Sequence, residues 1–546
     1  MGCLWLRDRP RRVALSIVLS TARAVSTDST IEVALDRPLA RIDPNVYGHF
    51  AENLGAVIYG GVWVGVGSPI PNIAGVRKAL VEEMRTIRAP IVRFPGGCYA
   101  DSYDWRDGIG RTNERPTRTN CWAASLPPGA PAEQRYDPNE FGTTEFVRFC
   151  RLIGSEPYLV GNVRSLPALV LSWWIDYCNA PPQATTYSRA RAAAGDSDPY
   201  GVRYWGIGNE AWSGGGSFTA DEYAREFLRY AIALPEHGAP LSLIASGPYR
   251  DDYGWTAEFF EGLLRRGERS LQSVCGLALH YYTWNLSCKQ PEDFDNGKSD
   301  ATAFDLTEWY ELFRQGDRME DLIEGHWNVM AEHDPQHRVK LVVDEWGSWY
   351  RAGSAQTPEH LYEQTPTLRD ALFTAMTLDT FNRHADKVCM ANCSQLINCL
   401  NSLYLAEDDN FCVTPVGHVY AMYADHQDGT ALATEFEAPA IDYVCDGEPV
   451  RFWGLRGSAS LRGRIAVVTV TNPHATRARE TEIRIRGGSI KDGVATMLTS
   501  SDIRARNTFA RPDAVVPRTE SIFPNGPTVA VTLPAASVTK LTLTLE

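Results

Sequence analysis

The feature that most limits what this chain can become is an alternation. Short apolar runs of strand character recur at 46–50, 91–94, 158–161, 202–207, 241–245, 274–280, 341–343 and 388–395. Segments with apolar residues at helical spacing lie between them, at 73–87, 143–153, 166–177, 220–233, 256–264, 319–333 and 367–384. In the first of these, Ile73, Val76, Leu80, Met84 and Ile87 fall on one helical face. Read as eight strand–helix repeats, the pattern predicts a (β/α)8 TIM barrel over 44–411, with an open doubly wound sheet as the alternative. From 412 to 546 the pattern changes. Runs at 464–471, 481–485, 528–533 and 538–545 read as strands between turn residues, and no long helix stands out. This predicts a C-terminal all-β sandwich, jelly-roll-like. Residues 28–43 alternate like a half-buried strand and have no helix of their own, so they are assigned to that sandwich.

Two of the barrel runs end in acid. Tyr204-Trp205-Gly206-Ile207 is followed by Gly208-Asn209-Glu210, and Leu341-Val342-Val343 by Asp344-Glu345-Trp346. In a parallel barrel the C-terminal ends of the strands carry the chemistry. Glu210 alone also reads as a cap of the next helix. Two carboxylates converging from different strand ends are what glycoside hydrolysis requires. Other strand ends add Glu52 and Asn53, Arg93 with the turn Pro95-Gly96-Gly97-Cys98, His280, Tyr281 and Tyr282, Trp349, and Gln395 and Asn398. Core packing does not gather so many polar groups at one end, because buried charge is unfavourable unless paired. Loops 125–135 and 180–200 are both expected on that same side.

The net charge of −14 argues against nucleic acid and anionic membranes as partners. The 15 Trp and 23 Tyr are compatible with sugar stacking, but most of them are expected to be core. Twelve cysteines are scattered through apolar patterns, which fits reduced, buried thiols better than a disulfide framework. Cys389, Cys393 and Cys399 lie close together, but no second group completes a zinc-ligand set. Residues 1–27 outline a weak signal peptide: basic at 7–12, apolar at 13–20, then Ala22-Arg23-Ala24. An extension upstream of the true start is the rival reading. No run reaches the roughly 18 apolar residues of a membrane helix.

Several segments, read together, resemble the family-51 glycoside hydrolases, chiefly α-L-arabinofuranosidases. They are Tyr47-Gly48-His49-Phe50-Ala51-Glu52-Asn53, Arg93-Phe94-Pro95-Gly96-Gly97, Asp104-Trp105-Arg106-Asp107-Gly108, Tyr204 to Glu210, Asp344-Glu345-Trp346 and Gln395-Leu396-Ile397-Asn398. The resemblance runs from about residue 30 to the C-terminus. It implies that Glu210 is the general acid/base and Glu345 the nucleophile of a retaining double displacement, with carboxyl groups about 5–5.5 Å apart. Glu210 must then carry a proton when the reaction begins, and Glu345 must be ionised, with Arg93 and Tyr282 as candidate donors. Glu52, Asn209 and Gln395 match positions that bind furanose hydroxyls, with Asn209 on the 2-hydroxyl. Trp349 is a candidate stacking platform, Cys98 lines the pocket without a redox role, and His280 is a structural hydrogen bonder.

The resemblance implies no metal and no cofactor. It implies an arabinofuranosyl-containing oligo- or polysaccharide as substrate, cleaved at the non-reducing end. It further implies a homo-oligomer, often a hexamer, and a cytoplasmic location unless residues 1–24 act as a signal. The turn Asn162-Val163-Arg164-Ser165 and the pair Gly347-Ser348 depart from the family pattern, which bears on substrate range. Two rivals stay open here. One is a same-clan retaining enzyme acting on β-linked xylan or glucan, and the other is a carbohydrate-binding protein without catalysis.

Overall fold

The computed structural model describes residues 28–238, 240–284, 286 and 297–546. The signal-peptide reading falls on 1–27, outside the described residues. Eight parallel strands close a barrel in chain order. They are β1 (Gly48–Phe50), β2 (Ile91–Phe94), β3 (Glu156–Gly161), β4 (Tyr204–Ile207), β5 (Ser242–Ala245), β6 (Gly276–Thr283), β7 (Lys340–Ser348) and β8 (Val388–Ser394). Their apolar side chains are buried on both faces, inside the barrel and against the helices. That is why each reads as an unbroken apolar run. Helices form where the 3.6-residue pattern predicts them, for example Thr143–Ile153 and Leu368–Arg383. Thr367 caps the second of these, its hydroxyl accepting from the Arg369 N–H while Asp370 reaches back to the Thr367 N–H.

Four local features depart from the sequence reading. The first helix spans only Lys78–Thr86, because Asn72–Ile73 and Val76–Arg77 pair as a small hairpin ahead of it. Helices Thr186–Ala193 and Leu306–Gly316 are additional. Residues 180–200 join the helix Ala168–Asn179 to the start of β4, so they lie at the opposite end of the barrel from the strand C-termini. Finally, a helix does follow β8. Pro415–Tyr423, capped by Thr414, packs against Leu368–Arg383 and supplies the helix of the eighth repeat. The expected boundary at 411/412 precedes it.

Beyond it, nine strands form one curled sheet. The N-terminal strand Ser29–Arg41 is built into it, antiparallel to Thr430–Glu437 and parallel to Arg479–Arg486. Ile31, Val33, Val468, Ile483, Val529 and Leu541 share its apolar interior. The sandwich grips the barrel through buried polar contacts. Asp379, on a barrel helix, accepts from Ser458 and Thr469 of the sandwich, and the Trp309 indole donates to the Pro473 carbonyl at 2.8 Å. Among the described residues nine cysteines carry free thiols, whereas Cys445 is disulfide-bonded, a departure from the expectation of reduced thiols. No described helix is long and apolar enough to cross a membrane.

Candidate active site

Strand β7 carries the irregularity on which the site is built. Ala278 pairs with Val342 and His280 with Glu345, so β7 spends three residues where β6 spends two. The same extra residue appears against β8, between the pairs Val343–Ala391 and Trp346–Cys393. In a regular strand Asp344 and Glu345 point to opposite faces. The bulge brings both toward the barrel interior, where both meet Arg93.

Arg93 is fully buried on β2 and holds this centre together. Its Nη1 donates to Glu345 Oε1 at 2.8 Å and its Nη2 to Asn209 Oδ1 at 2.7 Å. Asp344 Oδ2 lies 3.2 Å from its Nε, an ion-pair contact out of hydrogen-bond alignment. The guanidinium lies over the Phe50 ring, 4.5 Å from its centroid. Asp344 itself is occupied, accepting from Tyr158 and Asn392 at 2.9 Å each.

Glu345 accepts a second hydrogen bond from the Tyr282 hydroxyl, at 2.9 Å on Oε2. Burial raises its pKa, but the His280 and Arg93 charges and the bonds from Arg93 and Tyr282 outweigh burial, and the carboxyl sits below its ordinary value. Glu52 is shifted the other way. Burial and the neighbouring Glu345 charge raise its pKa, against hydrogen bonds from the Tyr99 and Gly97 N–H groups. Two nearby carboxyls are thus driven apart, one toward the anion and one toward the acid.

Glu210 stands after β4, where Gly208 turns the chain at φ +80°. Glu210 itself has φ +37°, a strained value for a side-chain-bearing residue and a recurrent feature of functional positions. Its Oε1 lies 3.1 Å from His280 Nδ1, which is also 3.7 Å from Glu345 Oε2. One ligand atom from each of Glu210, His280 and Glu345 lies within 4.8 Å of the others. Burial alone would lower the His280 pKa, but Glu345 and Glu210 raise it above its ordinary value. The imidazole therefore sits between the two carboxylates, hydrogen-bonded to Glu210.

These groups line a cavity of about 170 Å³. Glu52, Cys98, Glu210, Tyr282, Glu345 and Trp349 face it directly. Arg93, Asn209 and Gln395 stand one layer behind. Gln395 is buried and clasps Glu52, accepting from its N–H at 3.0 Å and donating to its Oε2 at 3.2 Å. The buried Asn209 Nδ2 has no hydrogen-bond partner among the described residues. Cys98 Sγ is 4.0 Å from Glu210 Oε2, and burial together with the surrounding carboxylates raises its thiol pKa, so it presents a thiol. Trp349 packs edge-on against Tyr282 and Tyr362.

Sequence reasoning missed Leu54, Trp122, Tyr249, Arg250, Trp284, Tyr362 and Leu400 in the wall. Trp122, Tyr249, Trp284 and Tyr362 sit in loops after β2, β5, β6 and β7, so an aromatic on an active-side loop was the available signal; Leu54, Arg250 and Leu400 carry none. A larger cavity of about 780 Å³ lies in the sandwich, lined mostly by small and hydroxyl side chains. No pair of carboxylates converges there, so the chemistry belongs to the smaller one.

Comparison with known proteins agrees with this geometry. Residues 83–298 match the model of the α-L-arabinofuranosidase 1 domain, and residues 344–537 that of the α-L-arabinofuranosidase C-terminal domain. An intracellular exo-α-L-arabinofuranosidase of Bacteroides ovatus is 33% identical over 97% of this chain and 98% of its own. An intracellular exo-α-(1→5)-L-arabinofuranosidase of Streptomyces lividans is 27% identical over 87% of this chain and 69% of its own. Among solved structures, the GH51 arabinofuranosidase of Xanthomonas axonopodis pv. citri superposes with a TM-score of 0.86 at 34% identity, covering 95% of this chain and 100% of that one. The Thermotoga maritima α-L-arabinofuranosidase, solved as an arabinose complex, gives 0.80 at 27% identity over 95% and 100%. With its closed barrel, its C-terminal sandwich and the convergent acids of β4 and β7, this chain belongs to glycoside hydrolase family 51, the α-L-arabinofuranosidases.

Proposed function

We propose that Glu210 and Glu345 act as acid/base and nucleophile in a retaining hydrolysis of non-reducing terminal α-L-arabinofuranosyl groups. The observation that carries this reading is the pair's spacing, with facing carboxylate oxygens within 4.8 Å of each other. Retaining enzymes keep their carboxyls at about 5–5.5 Å, and inverting ones at about 6.5–9.5 Å to seat a water. Glu345, ionised and held by Arg93 and Tyr282, attacks the anomeric carbon. Glu210 gives its proton to the departing oxygen, and a covalent glycosyl-enzyme forms. Glu210 then takes a proton from the incoming water, which releases arabinose with its configuration kept. Asn209 Nδ2, buried and without a partner among the described residues, suits a sugar hydroxyl. Glu52 and Gln395 brace the opposite wall.

An intracellular place of action, as the names of the Bacteroides and Streptomyces relatives state for those proteins, fits the free thiols among the described residues. Assembly as a homo-oligomer is the family expectation and is read by sedimentation. The test of the chemistry is Glu345→Ala assayed with azide on an aryl α-L-arabinofuranoside, beside the matching β-xyloside and β-glucoside. The expected result is rescue on the arabinofuranoside alone, giving an azide product of inverted configuration. Rescue with retained configuration, or a preference for the xyloside, would overturn the reading.

A further inference from the structure

The barrel order separates the two sides of the cavity. Glu52 of the β1 end, Gly97 after β2 and Gln395 after β8 form one wall. Glu210 after β4 and His280 on β6 form the other, and β5 lies between those two strands. In the reading given above, Glu210 protonates the departing oxygen, so the leaving group must pass the β5 end. The segment after β5 returns over the cavity mouth there. Tyr249 forms a β-bridge with His280, and its exposed ring lies 4.7 Å from that of Trp212, two residues past Glu210.

Arg250 follows, with φ +47°, and its carbonyl is tied to His326 at 2.6 Å. Arg250 lines the cavity, and its guanidinium lies 5.0 Å from the ring centroids of both Tyr249 and Trp284. Among the described residues no carboxylate lies within 4.0 Å of it. Arg93, by contrast, is spent on Asp344, Glu345 and Asn209. Ring stacking occupies the faces of a guanidinium and leaves its in-plane N–H donors available. Such a cation has no carboxylate partner among the described residues and presents the planar fork that pairs with one.

We propose that Arg250 binds a carboxylate on the leaving-group sugar, so that the preferred substrates are arabinofuranosyl oligosaccharides bearing a uronic acid on that side. This rests on Glu210 being the acid. Arg250 is here a specificity residue, outside the bond-breaking steps.

The test uses a matched pair of oligosaccharides with one arabinofuranosyl linkage, the second made from the first by reducing the uronic carboxyl to the neutral sugar. For the intact enzyme, kcat/KM is expected to favour the acidic member about ten-fold or more, the range of a charge-assisted hydrogen bond. The ratio should shrink in about 0.5 M salt. It should fall to about one in Arg250→Gln and lie between in Arg250→Lys. A ratio of one or below in the unmodified enzyme overturns the proposal, as does a ratio unchanged in Arg250→Gln. The salt arm on the unmodified enzyme decides the matter if a variant does not fold. Failure to cleave either member, with an aryl α-L-arabinofuranoside also untouched, would sink the reading of Glu210 and Glu345 instead; cleavage of both at equal rates sinks only the role of Arg250.

Discussion

Gly97 and Glu345 pack so tightly that a Cβ built on Gly97 would fall within 3.0 Å of Glu345 Oε1. The carboxylate has nowhere to retreat, since Arg93 holds one oxygen and Tyr282 the other. Gly97→Ala should therefore displace the acid and leave the fold standing. A shift on the order of 1 Å in a reacting group is worth roughly 100-fold. The expected outcome is a fall in kcat of that size with a melting temperature within a few degrees of the parent, read by steady-state kinetics and thermal melting. An alanine variant of full kcat would mean that Glu345 adjusts freely.

Arg93 should behave differently, because stability and chemistry both pass through it. It is fully buried and touches Asp344, Glu345 and Asn209 at once. Removing one partner of a buried ion pair costs about 3–5 kcal/mol, because the other charge is left unpaired. Arg93→Ala is expected to lose that much stability along with activity. Arg93→Lys keeps the charge but lacks the planar fork that reaches Glu345 and Asn209 together. It should recover most of the stability and little of kcat. Denaturation and kinetics of the two variants side by side check this, and a lysine variant of near-normal kcat would show that charge alone suffices.

Much of this architecture is visible in the sequence, and the rest is hidden for definite reasons. Barrel strands buried on both faces leave apolar runs, so even the short β5 and the last strand β8 can be read. Positions at strand ends can be read as well, which is how Glu52, Arg93, Glu210, Tyr282 and Gln395 come to notice. The β7 bulge cannot be read. Periodicity assigns Asp344 and Glu345 to opposite faces, and only pairing with β6 and β8 reveals the extra residue. The helix Pro415–Tyr423 did leave a signal, Thr414 followed by Pro415 at the first turn, but its nine residues are too few for periodicity to register. Tyr249 and Arg250 lie in a loop, where no repeat marks which side chains turn inward.

Glu210 offers a test by leaving group. Its carboxylate has His280 at 3.1 Å and faces the cavity. An acid that protonates the departing oxygen matters most when that oxygen is basic. Positioned acid–base catalysis contributes about 100- to 10,000-fold. Glu210→Ala is expected to slow hydrolysis of oligosaccharides by that range and of a nitrophenyl arabinofuranoside far less. A series of aryl arabinofuranosides of graded leaving-group acidity measures it, with a steeper dependence in the variant. Equal slowing across the series would move the acid role to another group.

The last expectation concerns pH and the seam between barrel and sandwich. Asp379 is buried there. Its Oδ1 accepts from Ser458 and Thr469, and its Oδ2 accepts from Tyr423 at 2.9 Å. Burial raises its pKa to about 7, against hydrogen bonds from Thr469 and Ser458 that pull it down. In the unfolded chain the group titrates near 3.9. Between these values the folded protein holds a proton that the unfolded chain has released. Its contribution to stability is therefore complete below about pH 4, declines as pH rises through about 7, and is absent above that. At about 1.4 kcal/mol per unit, the span is on the order of 4 kcal/mol. Asp379→Asn keeps the neutral shape and cannot ionise. The variant should melt close to the parent at pH 4 and above it at pH 8, with the gap opening between. A gap of constant size across that range would show that Asp379 stays ionised in the folded protein.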